Sequence, residues 1–482
     1  MQYHLAIDIG ASSGRHILGH VQDGRMVLEE IYRFDTMQIH KNGHVCWDTD
    51  RLINSILDGL KACKAADKVP STMGIDTWAV DFLLLDENGR PVSDAVAYRD
   101  KRTKLMDSAV SKVISPSELY ARTGIQKQIF NTIYQLAALK QEHPEQLAAA
   151  DSFLMIPEYF NFLLTGIRQN EYTNATSTNL VNAHLKTWDA ELIRNLGLPV
   201  NIFGPLAMPG THLGYFTEAV KREVGFDCEV LLPATHDTGS AFLAVPARDD
   251  EAVYISSGTW SLLGVENKEP ITTEASRFQN FTNEGGYDYR FRYLKNIMGL
   301  WMIQSIRREI NGVSYVADKE ASQAQSRDKI SFAQLEAAAR VTGDFKSVVD
   351  VNDDVFLAPE SMIDAVKAFC RKTQQSVPAS IGEIMQCVYK SLARSYAKAI
   401  EDLSQITGKR YTSINIIGGG AKDNYLNELT AQATGLPVYA GPAEGTALGN
   451  LMVQMIACGE YPDLAAARKA IKESFIIKEI TI

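Results

Sequence analysis

Residues 5–15 read LAIDIGASSGR: an apolar run delivers Asp8, and the small residues Gly10, Ala11, Ser12, Ser13 and Gly14 follow at once, then Arg15. An acid at a strand end beside a turn without bulky side chains offers a metal-side carboxylate plus unshielded N–H and hydroxyl donors, as a magnesium nucleotide requires. Small polar residues also favour plain turns, so the segment alone reads equally as an ordinary hairpin loop. Residues 254–264, YISSGTWSLLG, repeat the design: a strand, a small-residue turn carrying the hydroxyl donor Thr259, and a second strand. Two such units far apart in one chain predict two related halves that face a shared nucleotide.

The chain has 482 residues, more than one ordinary core holds, so two large domains or a duplicated α/β architecture is expected. Its 45% hydrophobic and 22% charged residues are those of a soluble globular protein. Residues 1–10 lack a basic start and reach an aspartate within eight residues, so no signal peptide is read and the cytoplasm is the expected location. The net charge of -10 opposes a nucleic-acid partner, because phosphate backbones recruit basic surfaces. Six scattered cysteines without a CxxC pair read as free thiols rather than as a disulfide framework or zinc site. Nothing in the residues separates a monomer from a homodimer.

Residues 3–9, 16–21 and 26–34 are predicted to be successive antiparallel strands, with Asp23-Gly24 as a hairpin turn. A helix follows, N-capped by Asp48, with Leu52, Ile53, Ile56, Leu57 and Leu60 on one face. Buried strands are expected over 72–76 and 79–85, a mostly helical layer over 115–225, and a strand over 228–232 leading into a helix from Asp237. The charged stretch 248–251 marks a boundary near residue 246, giving domains 1–245 and 246–482. In the second half, a long periodic helix over 379–406 precedes a strand at 413–417 and the triple glycine Gly418, Gly419, Gly420.

There is no GxxxxGK[ST] loop and no GxGxxG opening a βαβ unit, so P-loop NTPases and dinucleotide oxidoreductases are disfavoured. PATHDTGSA, residues 233–241, sets His236, Asp237 and Thr238 where a strand turns into a helix, and ligands bind at such turns in α/β domains. Asp237 there reads as an acceptor of a hydroxyl proton or as a plain helix cap. The glycines of IGGGA let backbone pass close to a flat ligand, and a tight strand–helix connection needs them equally. IDTWAVDF holds Asp76, Asp81 and Trp78, the last a core residue or a stacking platform for a sugar. Asn296 and Gln304 are expected on similar faces of one helix, eight residues apart.

Together LAIDIGASSGR, IDTWAVDFLLLD, LLPATHDTGSA, YISSGTWSLLG, LKNIMGLWMIQ and INIIGGGAKDNYLNELTAQATGLPVYAGPAEGTALGN resemble the FGGY carbohydrate kinases over nearly the whole chain. The wording around Trp78, His236 and Asn296 resembles the members that phosphorylate L-rhamnulose at its C1 hydroxyl with ATP. The resemblance implies an α/β fold of two actin-like, ribonuclease H-like ATPase domains with a ligand cleft between them, sugar-binding in 1–245 and nucleotide-binding in 246–482. It implies Asp237 as general base, and His236, Thr238 and Asn296, with Trp78 and the Ala79 strand, as sugar contacts. Ala11, Ser12, Ser13, Gly14, Arg15, Thr259, Gln304 and Gly419 resemble ATP-contacting positions, and Asp8 the carboxylate that holds Mg²⁺ through water. Ala79 stands where the family pattern has glycine, which fills the pocket by one methyl group and bears on sugar selectivity. A kinase for fuculose or xylulose, a catalytically silent sugar sensor, and an actin-like or chaperone-type ATPase share most of these motifs.

Overall fold

The structure is a computed structural model and describes residues 2–312 and 330–481. It divides into two compact units that interleave along the chain. The first holds Met1–Pro246, Glu266–Leu294 and Glu444–Phe475, and the second holds Ala247–Val265, Lys295–Ala443 and Ile476–Ile482.

The first unit is built on a six-stranded sheet. His4–Ile9 lies at its centre, antiparallel to Ser13–Gln22 and parallel to Thr72–Thr77; Arg25–Asp35 extends one side, Glu229–Leu231 and His212–Tyr215 the other. Period-two alternation sorts the central strands onto two faces. Leu5, Ile7, Ile9, Met73 and Ile75 share a core with Leu52, Ile56, Leu57 and Leu60 of the helix Thr49–Ala65, whose N-cap Asp48 accepts from the Arg51 amide. Ala6 and Ile17 share another with Leu448, Leu451 and Met452 of the helix Gly445–Ala457. His4, Thr72, Asp76 and Asp8 have the parity of Ala6, which puts polar groups on the face that carries this second helix. Asn450 and Gln454 meet them there: Asn450 Nδ2 donates to Asp76 at 2.5 Å, and Thr72 donates to Gln454 Oε1 at 2.7 Å.

The second unit repeats the central motif. Ala252–Ser257 pairs antiparallel with Trp260–Asn267 and parallel with Ser413–Ile417, beyond which lie Val438–Ala440 and Lys478–Ile480. The helix Ile381–Thr407 packs against Phe332–Val341 and Asn424–Thr434 and opens with a capping box of Ser380 and Glu383. The two related strand–turn–strand units expected from sequence are therefore present, one at the heart of each sheet.

Two expectations about elements need correction. Residues 295–304 are not one helix: Phe291–Met298 is a strand paired with Thr282–Gly285, and the helix Trp301–Asn311 starts only after Gly299. Aromatic and aliphatic residues along FRYLKNIM favour that ladder. The strand expected over 79–85 is confined to Phe82–Leu85, because Val80 adopts φ 68° and the Asp81 carboxylate draws in Trp47 Nε1, Trp78 Nε1 and the Tyr98 amide. The layer over 115–225 is helical but also carries short strands such as Ser152–Met155, which pairs with Phe82–Leu85. All six cysteines are free, five of them buried. Among the described residues no helix is long and apolar enough to cross a membrane.

Candidate functional site

In the first unit, three carboxylates gather at the end of the central strands. Asp8 and Asp76 are register partners on neighbouring parallel strands, and the chain bridges from Thr77 to His236 just before Asp237 opens the helix Asp237–Leu243. Burial raises Asp8 despite Arg15, and burial together with the charge of Asp8 pushes Asp76 well above the carboxylate range. Asp76 Oδ1 is buried without a hydrogen-bond partner. Asp237 keeps 28% of its side chain exposed, and burial outweighs the nearby His236 and the Thr238 amide to push its pKa up to about 6. Its Oδ1 accepts from the Thr238 amide at 2.6 Å.

The small-residue turn after Asp8 connects two antiparallel strands. Gly10 N bonds Ser13 O at 2.9 Å, and Thr36 closes the turn by donating to Gly10 O at 2.8 Å. Ala11 and Ser12 are exposed at its tip, Ser13 and Arg15 are half-buried, and Gly14 is buried where a Cβ would collide with the Phe34 ring. Arg15 reaches back to Asp8 Oδ2, with Nε at 3.1 Å and Nη2 at 2.9 Å, and its Nη1 pairs with Glu444.

Behind the helix start lies a buried ionic cluster. Arg292 is 1% exposed and donates from Nε to Gly285 O at 3.0 Å, from Nη1 to Thr238 Oγ1 at 2.7 Å and from Nη2 to His236 Nδ1 at 3.2 Å. Burial opposes charge on Glu284, but Arg292 and His236 beside it hold its pKa down to about 2. Glu171 anchors the residue two places before Asp237: it accepts from Thr235 Oγ1 at 2.7 Å and Thr235 N at 3.2 Å, while binding Thr173 and Asn174 on its own segment. Trp78 is 6% exposed, lies 4.0 Å from the Trp47 ring and donates to Asp81 at 3.0 Å; Ala79 sits half-buried on the bend beside it.

The second unit brings Thr259, Gln304 and Gly419 to one end of its sheet. Thr259 is exposed in the turn between Ala252–Ser257 and Trp260–Asn267. The amides that open the next helix bind that turn, Leu300 N to Gly258 O at 2.9 Å and Trp301 N to Thr259 O at 3.2 Å; Gln304 is half-buried one turn further on. Gly299 is required there, since a Cβ would lie 2.6 Å from the Trp260 carbonyl carbon. Gly419 is exposed after the neighbouring parallel strand, between Gly418 at φ 81° and Gly420, whose Cβ would collide with Ser257. Asn296 is half-buried on the strand Phe291–Met298, not on the helix that carries Gln304.

Sequence reasoning singled out Asp8, Arg15 and the His236–Thr238 turn, which the first unit places on neighbouring elements, but missed Arg292, Glu284, Glu171 and Glu444. The only signal for Arg292 was a charge among apolar residues in a strand.

Residues 3–244 match the N-terminal domain of the FGGY family of carbohydrate kinases, and residues 253–458 its C-terminal domain. The chain is 50% identical to a rhamnulokinase of Oceanobacillus iheyensis over 98% of its length and 97% of that protein. It is 42% identical to a rhamnulokinase of Bacillus subtilis over 99% and 95%. In fold it is similar to a xylulose kinase from Lactobacillus acidophilus, at TM-score 0.81 and 16% identity over 100% of this chain and 94% of the other. A Plasmodium falciparum glycerol kinase solved with ADP is similar at TM-score 0.74 and 14% identity, over 99% and 94%. The paired ribonuclease H-like sheets, the acid at the start of Asp237–Leu243 and the two domain matches lead to one conclusion: this chain belongs to the FGGY family of carbohydrate kinases.

Proposed function

We propose that this protein transfers the γ-phosphoryl group of ATP to the C1 hydroxyl of L-rhamnulose, giving L-rhamnulose 1-phosphate and ADP in the cytoplasm. The observation that carries the chemistry is Asp237, a partly exposed carboxylate at a helix start whose burial outweighs the nearby His236 and Arg292 and raises its pKa to about 6. The names of the relatives at 50% and 42% identity support the choice of sugar.

In this reading, the C1 oxygen attacks the γ-phosphorus as its proton passes to Asp237. The new C–O–P bond forms while the bond between phosphorus and the β,γ-bridging oxygen breaks, leaving ADP. A base with a pKa near 6 is ionised at neutral pH and still accepts a proton readily. The amides of the turn at Gly10–Gly14 and the Arg15 guanidinium are suited to phosphate oxygens, as are the Thr259 hydroxyl, Gln304 and the open backbone at Gly419 on the nucleotide side. On the sugar, Thr238, His236 and the bend at Trp78 and Ala79 in the first unit are suited to contact hydroxyl groups, as is Asn296 in the second, and the methyl of Ala79 would bear on selectivity.

The donor set fits a hard cation. Asp8 and the unpartnered Asp76 Oδ1 are oxygen donors, yet among the described residues no three His, Cys, Asp or Glu side chains form a cage. That suits Mg²⁺, which keeps waters and phosphate oxygens and takes one or two carboxylates. Asp8 would hold it, and its charge would offset that on the transferring phosphoryl group.

ADP release measured with L-rhamnulose, L-fuculose, D-xylulose and no sugar tests the assignment. The expected result is turnover that requires a sugar, with kcat/KM highest for L-rhamnulose. Sugar-independent ADP release would indicate an ATPase, and higher kcat/KM with another ketose would reassign the substrate.

A further inference from the structure

The helix Gly445–Ala457 brings two amide side chains, Asn450 and Gln454, to the polar face of the first sheet, four residues apart and so on one side of the helix. Both are fully buried, as are Thr72 and Asp76 on the strand they meet. Two backbone carbonyls set how the amides are turned, because a carbonyl only accepts. Asn450 Nδ2 lies 3.1 Å from Gly74 O, and Gln454 Nε2 lies 2.9 Å from Leu5 O. With those nitrogens placed, each remaining bond has a direction. Asn450 gives its second hydrogen to Asp76 Oδ2 at 2.5 Å, Gln454 gives its second to Asn450 Oδ1 at 2.7 Å, and Gln454 Oε1 takes the Thr72 hydrogen at 2.7 Å. The Cys458 thiol also reaches Thr72, but sulfur is a weak acceptor and does not displace an amide oxygen at that distance. Three side chains thus donate one way along the sheet and end on Asp76, each bond polarising the next. Gly74 makes the room for this, since a Cβ there would lie 2.7 Å from Asn450 Oδ1.

We propose that Asn450 is a positioning residue: backed by Gln454 and Thr72, it ties Asp76 down by Oδ2 and so holds Oδ1 as a free oxygen for the water shell of the nucleotide's divalent cation. Asp76 Oδ1 is buried without a hydrogen-bond partner, on the strand next to Asp8 and in register with it. A buried acceptor left unpaired costs free energy until a donor reaches it, and a hard cation that keeps its waters brings such donors. Asp8 is held differently, because Arg15 occupies its Oδ2 with two bonds. The cation part of this inference rests on the kinase reading above, whereas the hold of Asn450 on Asp76 does not.

Two measurements on the full-length protein test it. Side-chain amide signals in ¹⁵N–¹H correlation spectra, assigned by their loss in Asn450→Ser and Gln454→Met, should show both amide groups protected from exchange, and Asp76→Asn should shift the Asn450 pair. An Asn450 amide that exchanges at the solvent rate, or is indifferent to Asp76→Asn, overturns the proposal whether or not the protein is a kinase. The second is calorimetric titration with the β,γ-imido analogue of ATP, with Mg²⁺ and again with a chelator. Asn450→Ser and Asp76→Asn should each weaken binding of the Mg²⁺ complex about 10- to 100-fold and leave binding of the metal-free analogue unchanged. Gln454→Met, one step further back, should act in the same sense by less, and carries the test if Asn450→Ser fails to fold. Combining Asn450→Ser with Asp76→Asn should lose little beyond either alone. Equal losses with and without Mg²⁺, or fully additive losses, would mean that Asn450 supports the fold and does not act through Asp76. Native protein whose analogue binding ignores Mg²⁺ would overturn the cation part together with the metal of the proposed function, while protected amide signals would still uphold the hold on Asp76.

Discussion

At the scale of single residues, the proposed chemistry concentrates on Asp237. Burial raises its pKa to about 6 while His236 and the Thr238 amide work against that rise. A general base must be ionised to act, so kcat/KM should climb with pH through about 6 and level off above it. A pH–rate profile of the free enzyme reads this limb directly. Asp237→Asn should remove the limb and lower kcat about 10²- to 10⁴-fold with ATP affinity retained, measured by nucleotide titration. A variant turning over at the native rate would take Asp237 out of the base role. Asp8, Arg15 and Asp237 were legible in sequence because each sits in a run of small residues where a strand turns. Arg292 and Glu284 were not, since a charge inside a strand pattern reads as a solvated residue until the partner that neutralises it is known. Trp78 had two readings, and the structure shows its ring buried on Trp47 with its N–H tied to Asp81.

Elements were legible where local chemistry and tertiary packing agree. Asp48 and the Ser380–Glu383 box cap their helices as the sequence indicates, and the strand pair around Asp23-Gly24 forms with both residues at positive φ. The hairpin of Gln38–Lys41 with His44–Trp47 carries the standard Asn42-Gly43 signal, yet polar residues hide its alternation. The break at Gly299 was obscured for a different reason: helix and strand periods both tolerate LKNIMGLW, and what ends the strand is the fit of Gly299 against the turn at Gly258–Trp260. A similar close approach joins Gly445–Ala457 to Asp237–Leu243, where a Cβ on Gly449 would collide with the Ser240 carbonyl. Gly449→Ala should therefore push apart the helix that carries Asp237 and the helix that carries Asn450. Overpacking of this kind costs about 1–3 kcal/mol. A lower urea midpoint together with reduced kcat is the expected outcome, and an unchanged midpoint would show that the contact yields freely.

For the molecule as a whole, the consequential feature is that the chain returns to its first unit after leaving it at Pro246. The returning helix Gly445–Ala457 buries Leu448, Leu451, Met452, Val453 and Met455 to within 1% of full burial. At about 1.5–3 kcal/mol for each such side chain, their removal forfeits on the order of 10 kcal/mol. That equals the entire stability of a typical domain, about 5–15 kcal/mol. Polar partners go with it, since Asn450 bonds Asp76 and Gln454 bonds both the Leu5 carbonyl and Thr72. A fragment of residues 1–246 would keep every strand of the first sheet but leave Ala6, Ile17, Ala234 and Leu243 facing solvent where the helix belongs. Such a fragment should show no cooperative urea transition, weak near-ultraviolet circular dichroism and strong binding of a hydrophobic dye, whereas the full chain should unfold cooperatively. A sharp transition in the fragment would mean that the first sheet stabilises itself, and that the helix serves to hold Asp76 in place rather than to complete the core.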